Sequence, residues 1–163
     1  MVEAVVTADI GPLRVMTTHL EYYSHQQRER QIDAIRRLHV EACAMSVRNL
    51  RIEEQGGAFE TFPRPKQALL CGDLNFPAAA PERMQILAPF TAGVPNFNDA
   101  WSVLHPGQVH APTVGIHPVD FVDRPECFDY VFITDGLVSH LKAHGIDATT
   151  EASDHQPIWV ELA

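Results

Sequence analysis

The sequence predicts one domain of the α+β class, and three patterns carry that expectation. Two short β-rich runs joined by turn residues open the chain, residues 25–49 repeat apolar positions at helical spacing, and continuous apolar runs begin at Ala68 and Phe128. At 163 residues, 45% of them hydrophobic and 20% charged, the chain has ordinary globular make-up and length enough for a sizeable core. Residues 1–163 carry no internal repeat, low-complexity tract or linker, so a single domain is the economical division.

Residues 2–7 and 13–18 flank Asp9-Ile10-Gly11-Pro12, whose turn chemistry predicts a hairpin. The second run leads into Thr17-Thr18-His19-Leu20-Glu21, which puts His19 at the far end of the strand. A lone histidine there also has a plain structural use, hydrogen-bonded in a loop. Ser24 is a suitable N-cap for a helix over 25–49, in which Ile32, Ile35, Leu38, Ala42 and Met45 form the packed stripe. Arg28, Arg30, Arg36 and Arg37 alternate with Glu29, Asp33 and Glu41, a mixture that predicts a solvated face and not a nucleic-acid patch. Residues 55–65, with two glycines and two prolines, predict a loop.

The run Ala68-Leu69-Leu70-Cys71-Gly72-Asp73-Leu74-Asn75-Phe76-Pro77 reads as a buried strand whose polar residues sit only at its exit. Alternation sends Asp73 and Asn75 to one side and Leu74 back inward. Gly72 lets another backbone or a ligand come close, and Pro77 ends the strand. A carboxylate beside a carboxamide suits a metal-bound phosphate, and it equally suits an Asx turn closing an ordinary strand. Pro81-Glu82 opens a short helix through Met84, Ile86 and Leu87. Asn98-Asp99-Ala100-Trp101 predicts a turn into a short helix or strand, with Trp101 in the core.

Residues 105–123, rich in His, Pro and Gly, predict a long irregular loop, and His117, Asp120 and Asp123 within it lack a recognised metal-ligand spacing. Residues 128–134 predict a strand with Asp129, Val131 and Ile133 on one face and Tyr130 and Phe132 on the other. An aspartate on that apolar face is costly to bury alone, so a partner is expected. Residues 137–144 predict a strand running into a turn at Gly145. Ser153-Asp154-His155 precedes a final strand over 158–162; the acid and imidazole suit a metal and a proton transfer, or form a polar loop before an edge strand.

A net charge of -9 argues against sequence-independent nucleic-acid binding through a broad basic surface. Cys43, Cys71 and Cys127 are widely spaced and odd in number, which predicts neither a zinc pair nor a disulfide framework and points to a reduced, cytoplasmic compartment. No run of apolar residues is long enough to span a bilayer, and the first residues lack a signal peptide's basic and apolar regions.

Four motifs in one order, Thr18-His19-Leu20, Gly72-Asp73-Leu74-Asn75, Phe128-Asp129-Tyr130-Val131-Phe132 and Ser153-Asp154-His155, resemble those of the endonuclease/exonuclease/phosphatase family of metal-dependent phosphoesterases. The resemblance implies a two-sheet β-sandwich flanked by helices, with the site at one end of the sheets. It implies that Asp73 and Asn75 position phosphate, metal and attacking water. His155 is similar to the family's general base or phosphate-binding histidine, oriented by Asp129. Asp154 resembles the metal-side carboxylate, and His19 the histidine that stabilises phosphate oxygens. The implied metal ligands are Asp73, Asn75 and Asp154, for Mg²⁺ or alternatively Mn²⁺, because phosphoryl transfer asks for positioning and charge neutralisation from a hard cation.

The family's strand-borne Asn and metal-ligating Glu both precede its His motif, and no counterpart stands before His19; Glu3 and Glu21 are not convincing replacements. The expectation is a partial domain without the N-terminal part of the family fold, weakened in Mg²⁺ affinity and able to self-associate through an uncovered sheet face. The expected function is hydrolysis of a phosphodiester or phosphomonoester by in-line water attack. A DNA or RNA nuclease, a phospholipid or sphingolipid head-group esterase and a non-catalytic fragment that binds a phosphate ligand or a partner stand as alternatives.

Overall fold

Alternation of side chains along the strands gives the main sheet two apolar faces, and each face is covered by a different layer. The computed structural model describes residues 1–46, 64–118, 120 and 122–163. Strands β1 (Val2–Ala8) and β2 (Gly11–Thr17) form the expected antiparallel hairpin. Helix α1 (His25–Ser46) follows, and β3 (Ala68–Asp73) then pairs parallel to β2. Helix α2 (Pro81–Leu87), strand β4 (Phe97–Asp99) and helix α3 (Ala100–Leu104) lead through a long segment to β5 (Asp129–Thr134). β5 lies antiparallel between β3 and β4, closing a five-stranded sheet of order β1-β2-β3-β5-β4. After a 3-10 turn over Asp135–His140, β6 (Leu141–Ile146) and β7 (Ile158–Leu162) make a separate antiparallel ribbon, the second sheet.

One face of the main sheet presents Met16, Leu70, Tyr130 and Phe132 to Ile32 and Ile35 of α1 and Ile86 of α2. The other presents Leu13, Val131 and Ile133 to Leu141 and, half-buried, Ile158, Val160 and Leu162 of the ribbon. The layers are helix, sheet, ribbon: a two-sheet sandwich with helices outside, as expected. Each fully buried side chain of the Leu, Ile or Phe kind contributes about 1.5–3 kcal/mol, so both faces are needed. Among the described strands β1 and β4 form the two edges, and Val2, Val5 and Val6 of β1 are exposed.

Several expectations are corrected in detail. The strand expected over 137–144 begins only at Leu141, because Asp135 accepts bonds from Asn96 N and Asn98 Nδ2 and winds the chain into the 3-10 turn that buries Leu137. No turn forms at Gly145. It lies inside β6, where a Cβ would come 2.3 Å from the Trp159 ring, so its lack of a side chain serves packing. Trp101 is half-buried. Arg28 and Arg36 are not merely solvated: Arg28 reaches Glu82 at 3.1 Å, while Arg36 donates to the Ile86 and Ala88 carbonyls at 2.8 Å and lies over the Phe90 ring. They fasten α1 to the segment of α2. The helix end expected at 47–49 and most of the loop expected over 55–65 lie outside the described residues.

The stripe of α1 buries His39 and Cys43 where Leu38 and Met45 were expected. Both His39 ring nitrogens are used: Nδ1 meets the Arg14 guanidinium and Nε2 meets the Pro95 carbonyl at 3.0 Å. Guanidinium can only donate, so the ring is neutral, with its proton on Nε2. Burial lowers the His39 pKa from 6.5 to about 4, Arg14 and Arg36 adding and the Pro95 carbonyl opposing. The unfolded chain therefore takes up this proton first as pH falls, and stability is lost between the ordinary value and the folded one. Urea unfolding of the native chain is expected to lose about 2 kcal/mol more between pH 7 and pH 5 than unfolding of His39→Gln. Equal losses in the two proteins would contradict it.

Among the described residues no helix is long and apolar enough to cross a membrane.

Candidate active site

The ends of β2, β3 and β5 meet because the backbone ladder continues past them. Thr18 N donates to the Cys71 carbonyl at 3.1 Å and Leu20 N to the Asp73 carbonyl at 2.9 Å, so the His19 segment runs beside the Asp73 segment. This close approach depends on Gly72, whose φ is +136° and whose missing Cβ would stand 1.9 Å from the Thr18 carbonyl oxygen. Gly72→Ala is expected to destabilise the fold by at least about 2 kcal/mol, read by urea unfolding, since neither backbone can yield without breaking the ladder.

Beyond Gly72 the chain turns sharply. Asn75 adopts φ 54°, a left-handed conformation that asparagine tolerates, and its N–H donates to Asp73 Oδ1 at 2.9 Å. This is the Asx turn weighed above. The Asn75 side chain is buried, and its Nδ2 donates to the Leu20 carbonyl at 2.8 Å, tying the two loops together. Leu74 is fully buried, as expected, but β3 stops at Asp73, and the strand expected to run on to Pro77 gives way to this turn.

Asp73 stands directly opposite Asp129 across the β3/β5 pair. The partner demanded by Asp129 is present twice over: its Oδ2 lies 2.6 Å from Thr113 Oγ1 and 2.7 Å from His155 Nδ1. His155 Nε2 faces Asp73 Oδ2 at 3.7 Å, and the exposed His19 ring brings its Nε2 to 3.5 Å from the same oxygen. His19, Asp73, Asp129 and His155 thus converge at one rim of the sheet, with Asn75 bonded to two of the segments involved. Asp154 stands apart. It is exposed, accepts from the Ser153 hydroxyl at 3.2 Å and acts on His155 through its charge.

Burial alone would lower the His155 pKa, but the hydrogen bond and charge of Asp129, with Asp73 and Asp154 adding, raise it above the ordinary imidazole value. The Asp73 pKa is also raised, by burial and by the charge of Asp129, against the Asn75 N–H and the two histidines. Ligand atoms of Asp73, Asp129 and His155 all lie within 4.8 Å of one another. Two carboxylates crowded at a half-buried rim, one of them pushed toward protonation, are the chemistry that a divalent cation relieves. The donor set fits an oxygen-liganded cation on the Asp73 side, while Asp129 is engaged by Thr113 and His155. Thr113 was not found from the sequence, because it sits in an aperiodic loop with no motif around it.

No protein-family model matches the sequence, and no curated protein matches it. Solved structures do. An endonuclease/exonuclease/phosphatase from Bacteroides vulgatus superposes with TM-score 0.62 at 18% identity, over 93% of this chain and 49% of its own. The chain has the endonuclease/exonuclease/phosphatase fold. The Bacteroides thetaiotaomicron mannosyl-6-phosphatase shares that fold with TM-score 0.59 at 16% identity, over 93% of this chain and 51% of its own. Humanized D. rerio TDP2 also gives TM-score 0.59 at 18% identity, over 99% of this chain and 59% of its own. The present chain therefore spans between 49% and 59% of the length of these endonuclease/exonuclease/phosphatase-fold structures. The fold is the one whose motif order the sequence resembles, and its four motifs meet at the rim described above.

Proposed function

We propose that the chain is a metal-dependent phosphoesterase domain of the endonuclease/exonuclease/phosphatase family that hydrolyses a phosphate ester by in-line attack of water. The observation that carries this is the Asp129–His155 pair, 2.7 Å apart, with the ring's other nitrogen turned toward Asp73. His155 Nε2 takes the proton of the attacking water, and Asp129 stabilises the imidazolium that results. His19, exposed at the rim, donates to a phosphate oxygen. Asp73 and Asn75 orient water and phosphate from the turn that follows β3. Mg²⁺, or alternatively Mn²⁺, would be held on the Asp73 side of the rim with Asn75 beside it, and would supply neutralisation of the phosphate charge that Asp73 and Asp129 otherwise repel; Asp154, exposed and outside the Asp73, Asp129 and His155 cluster, would act through its charge.

The mannosyl-6-phosphatase that shares this fold supports a phosphomonoester as substrate, with a phosphodiester the other ester that the sequence allows. A DNA or RNA nuclease remains the alternative within the class, disfavoured by the net charge of -9. The alternative outside it is a domain that binds a phosphate ligand without cleaving it. Purified chain is expected to release p-nitrophenol from p-nitrophenyl phosphate or its bis ester in the presence of Mg²⁺ or Mn²⁺, and to stop when EDTA is added. Calorimetric binding of inorganic phosphate without hydrolysis would replace the enzyme by the binding domain, and nicking of supercoiled plasmid in preference to the aryl esters would select the nuclease.

A further inference from the structure

Thr113 belongs to the long segment between α3 and β5 and is buried to 1% exposure. Two backbone donors reach its hydroxyl oxygen, Phe128 N and Asp129 N, each at 3.1 Å. A hydroxyl has two lone pairs and one proton. With both lone pairs engaged, the proton is the group's remaining polar contact, and the acceptor in line for it is Asp129 Oδ2 at 2.6 Å. That oxygen is therefore an acceptor, and as part of a carboxylate it has only lone pairs to offer a second neighbour. His155 Nδ1 lies 2.7 Å from the same oxygen and can meet it only as N–H. In the neutral ring the basic lone pair is then on Nε2, the nitrogen that faces Asp73 Oδ2.

We propose that Thr113 is the positioning residue that fixes the tautomer of His155, through a proton order running from the Phe128 and Asp129 N–H groups to the Thr113 hydroxyl, the Asp129 carboxylate and the imidazole. Its backbone holds the ring's segment in the same place. The Thr113 carbonyl accepts from Gln156 N at 2.7 Å, and the adjoining Val114 forms bridges with both Glu126 and His155. One residue thus grips the two segments whose side chains form the pair. Without the hydroxyl, Asp129 Oδ2 loses its fixed donor and two backbone N–H groups, that of Phe128 buried, lose their acceptor, so neither the carboxylate's orientation nor the ring's proton is dictated. The catalytic consequence rests on the phosphoesterase proposal, whereas the tautomer does not.

The test is a long-range 1H–15N correlation spectrum of the 15N-labelled full chain, recorded above the titration of His155, in the native protein, Thr113→Ser and Thr113→Val. The native and Ser proteins are expected to show a single His155 ring with protonated Nδ1 and pyridine-like Nε2. Thr113→Val is expected to populate the Nε2–H tautomer and to lose at least about tenfold in kcat on bis-p-nitrophenyl phosphate with KM little changed. A native ring protonated at Nε2 would overturn the proposal, as would a Val protein retaining the native tautomer and kcat. Should Thr113→Val not fold, Thr113→Cys puts a weak donor at the same point, and a purely Nδ1–H ring there overturns the proposal while a mixture supports it. Absence of any hydrolysis by the native chain would fell the phosphoesterase proposal alone, since the ring spectra still decide the role of Thr113.

Discussion

His155→Ala is expected to lower kcat on a phosphate ester by about 10²–10⁴-fold, the range of a general base removed from its proton. The imidazole is the site's only group held by a buried-side carboxylate on one nitrogen while its other nitrogen looks across the rim at Asp73, among the described residues that converge there. Its side chain is partly exposed, 23%, and contributes little to the core, so unfolding by urea should change far less than the rate does. Asp129→Asn should act in the same direction, because an amide nitrogen set against Nδ1 would favour the opposite tautomer. Rates within about threefold of native for His155→Ala, with folding intact, would remove the imidazole from the reaction.

The parts of this site that the sequence announces are those with local cause. Alternation along a strand put Asp73 and Asn75 on one side and Leu74 in the core; Leu74 is buried, but β3 ends at Asp73 and Asn75 turns left-handed at φ 54°, so an Asx turn and not strand periodicity joins Asp73 to Asn75. The cost of an aspartate on the face of Val131 and Ile133 demanded a partner, and His155 and Thr113 answer it. Thr113 itself was illegible, because nothing in the loop around it is periodic and its importance arises from segments 15 or more residues away folding onto it. Gly145 misled for the complementary reason: glycine is the residue of turns, and here it is the seat of an indole ring.

The helix stripe shows the same limit. An apolar-periodicity argument favours Leu38 and Met45, while the fold buries His39 and Cys43. What tips the helix is a long-range pair of acceptors and donors: Arg14, itself fully buried and held by Glu3 at 3.2 Å, offers N–H groups to Nδ1, and the Pro95 carbonyl takes the Nε2 proton. A histidine with both nitrogens satisfied is inexpensive to bury, and its ring packs on Phe97 and Phe90 as an apolar side chain would. Sequence periodicity scores residue type, whereas burial follows whether the polar atoms find partners.

Asp99→Ala is expected to cost about 3–5 kcal/mol of folding stability, the scale of breaking a buried ionic cluster by removing one member. Asp99 ends β4 and caps α3, its Oδ1 accepting from Trp101 N at 3.0 Å and Ser102 N at 3.4 Å. Its Oδ2 accepts from Arg83 Nε and lies against His110 Nε2, both at 2.7 Å. Burial would raise this carboxyl's pKa, yet His110 and Arg83 together hold it below the ordinary carboxylate value. That stabilisation is present above the ordinary carboxylate range and is lost as pH falls through the folded pKa. Removing the carboxylate strands a guanidinium and an imidazole that are 17% and 8% exposed, and deletes a cap worth about 1 kcal/mol. Domains of this size are stable by only about 5–15 kcal/mol, so the urea midpoint should fall steeply. Asp99→Asn separates the two contributions: the amide oxygen can still cap α3, while the charge and the acceptor that face Arg83 and His110 are withdrawn together. A midpoint for Asp99→Asn close to native would locate the stabilisation in the cap, whereas one close to Asp99→Ala would locate it in the ion cluster that packs against Tyr130 and borders the cavity shared with Thr113 and Asp129.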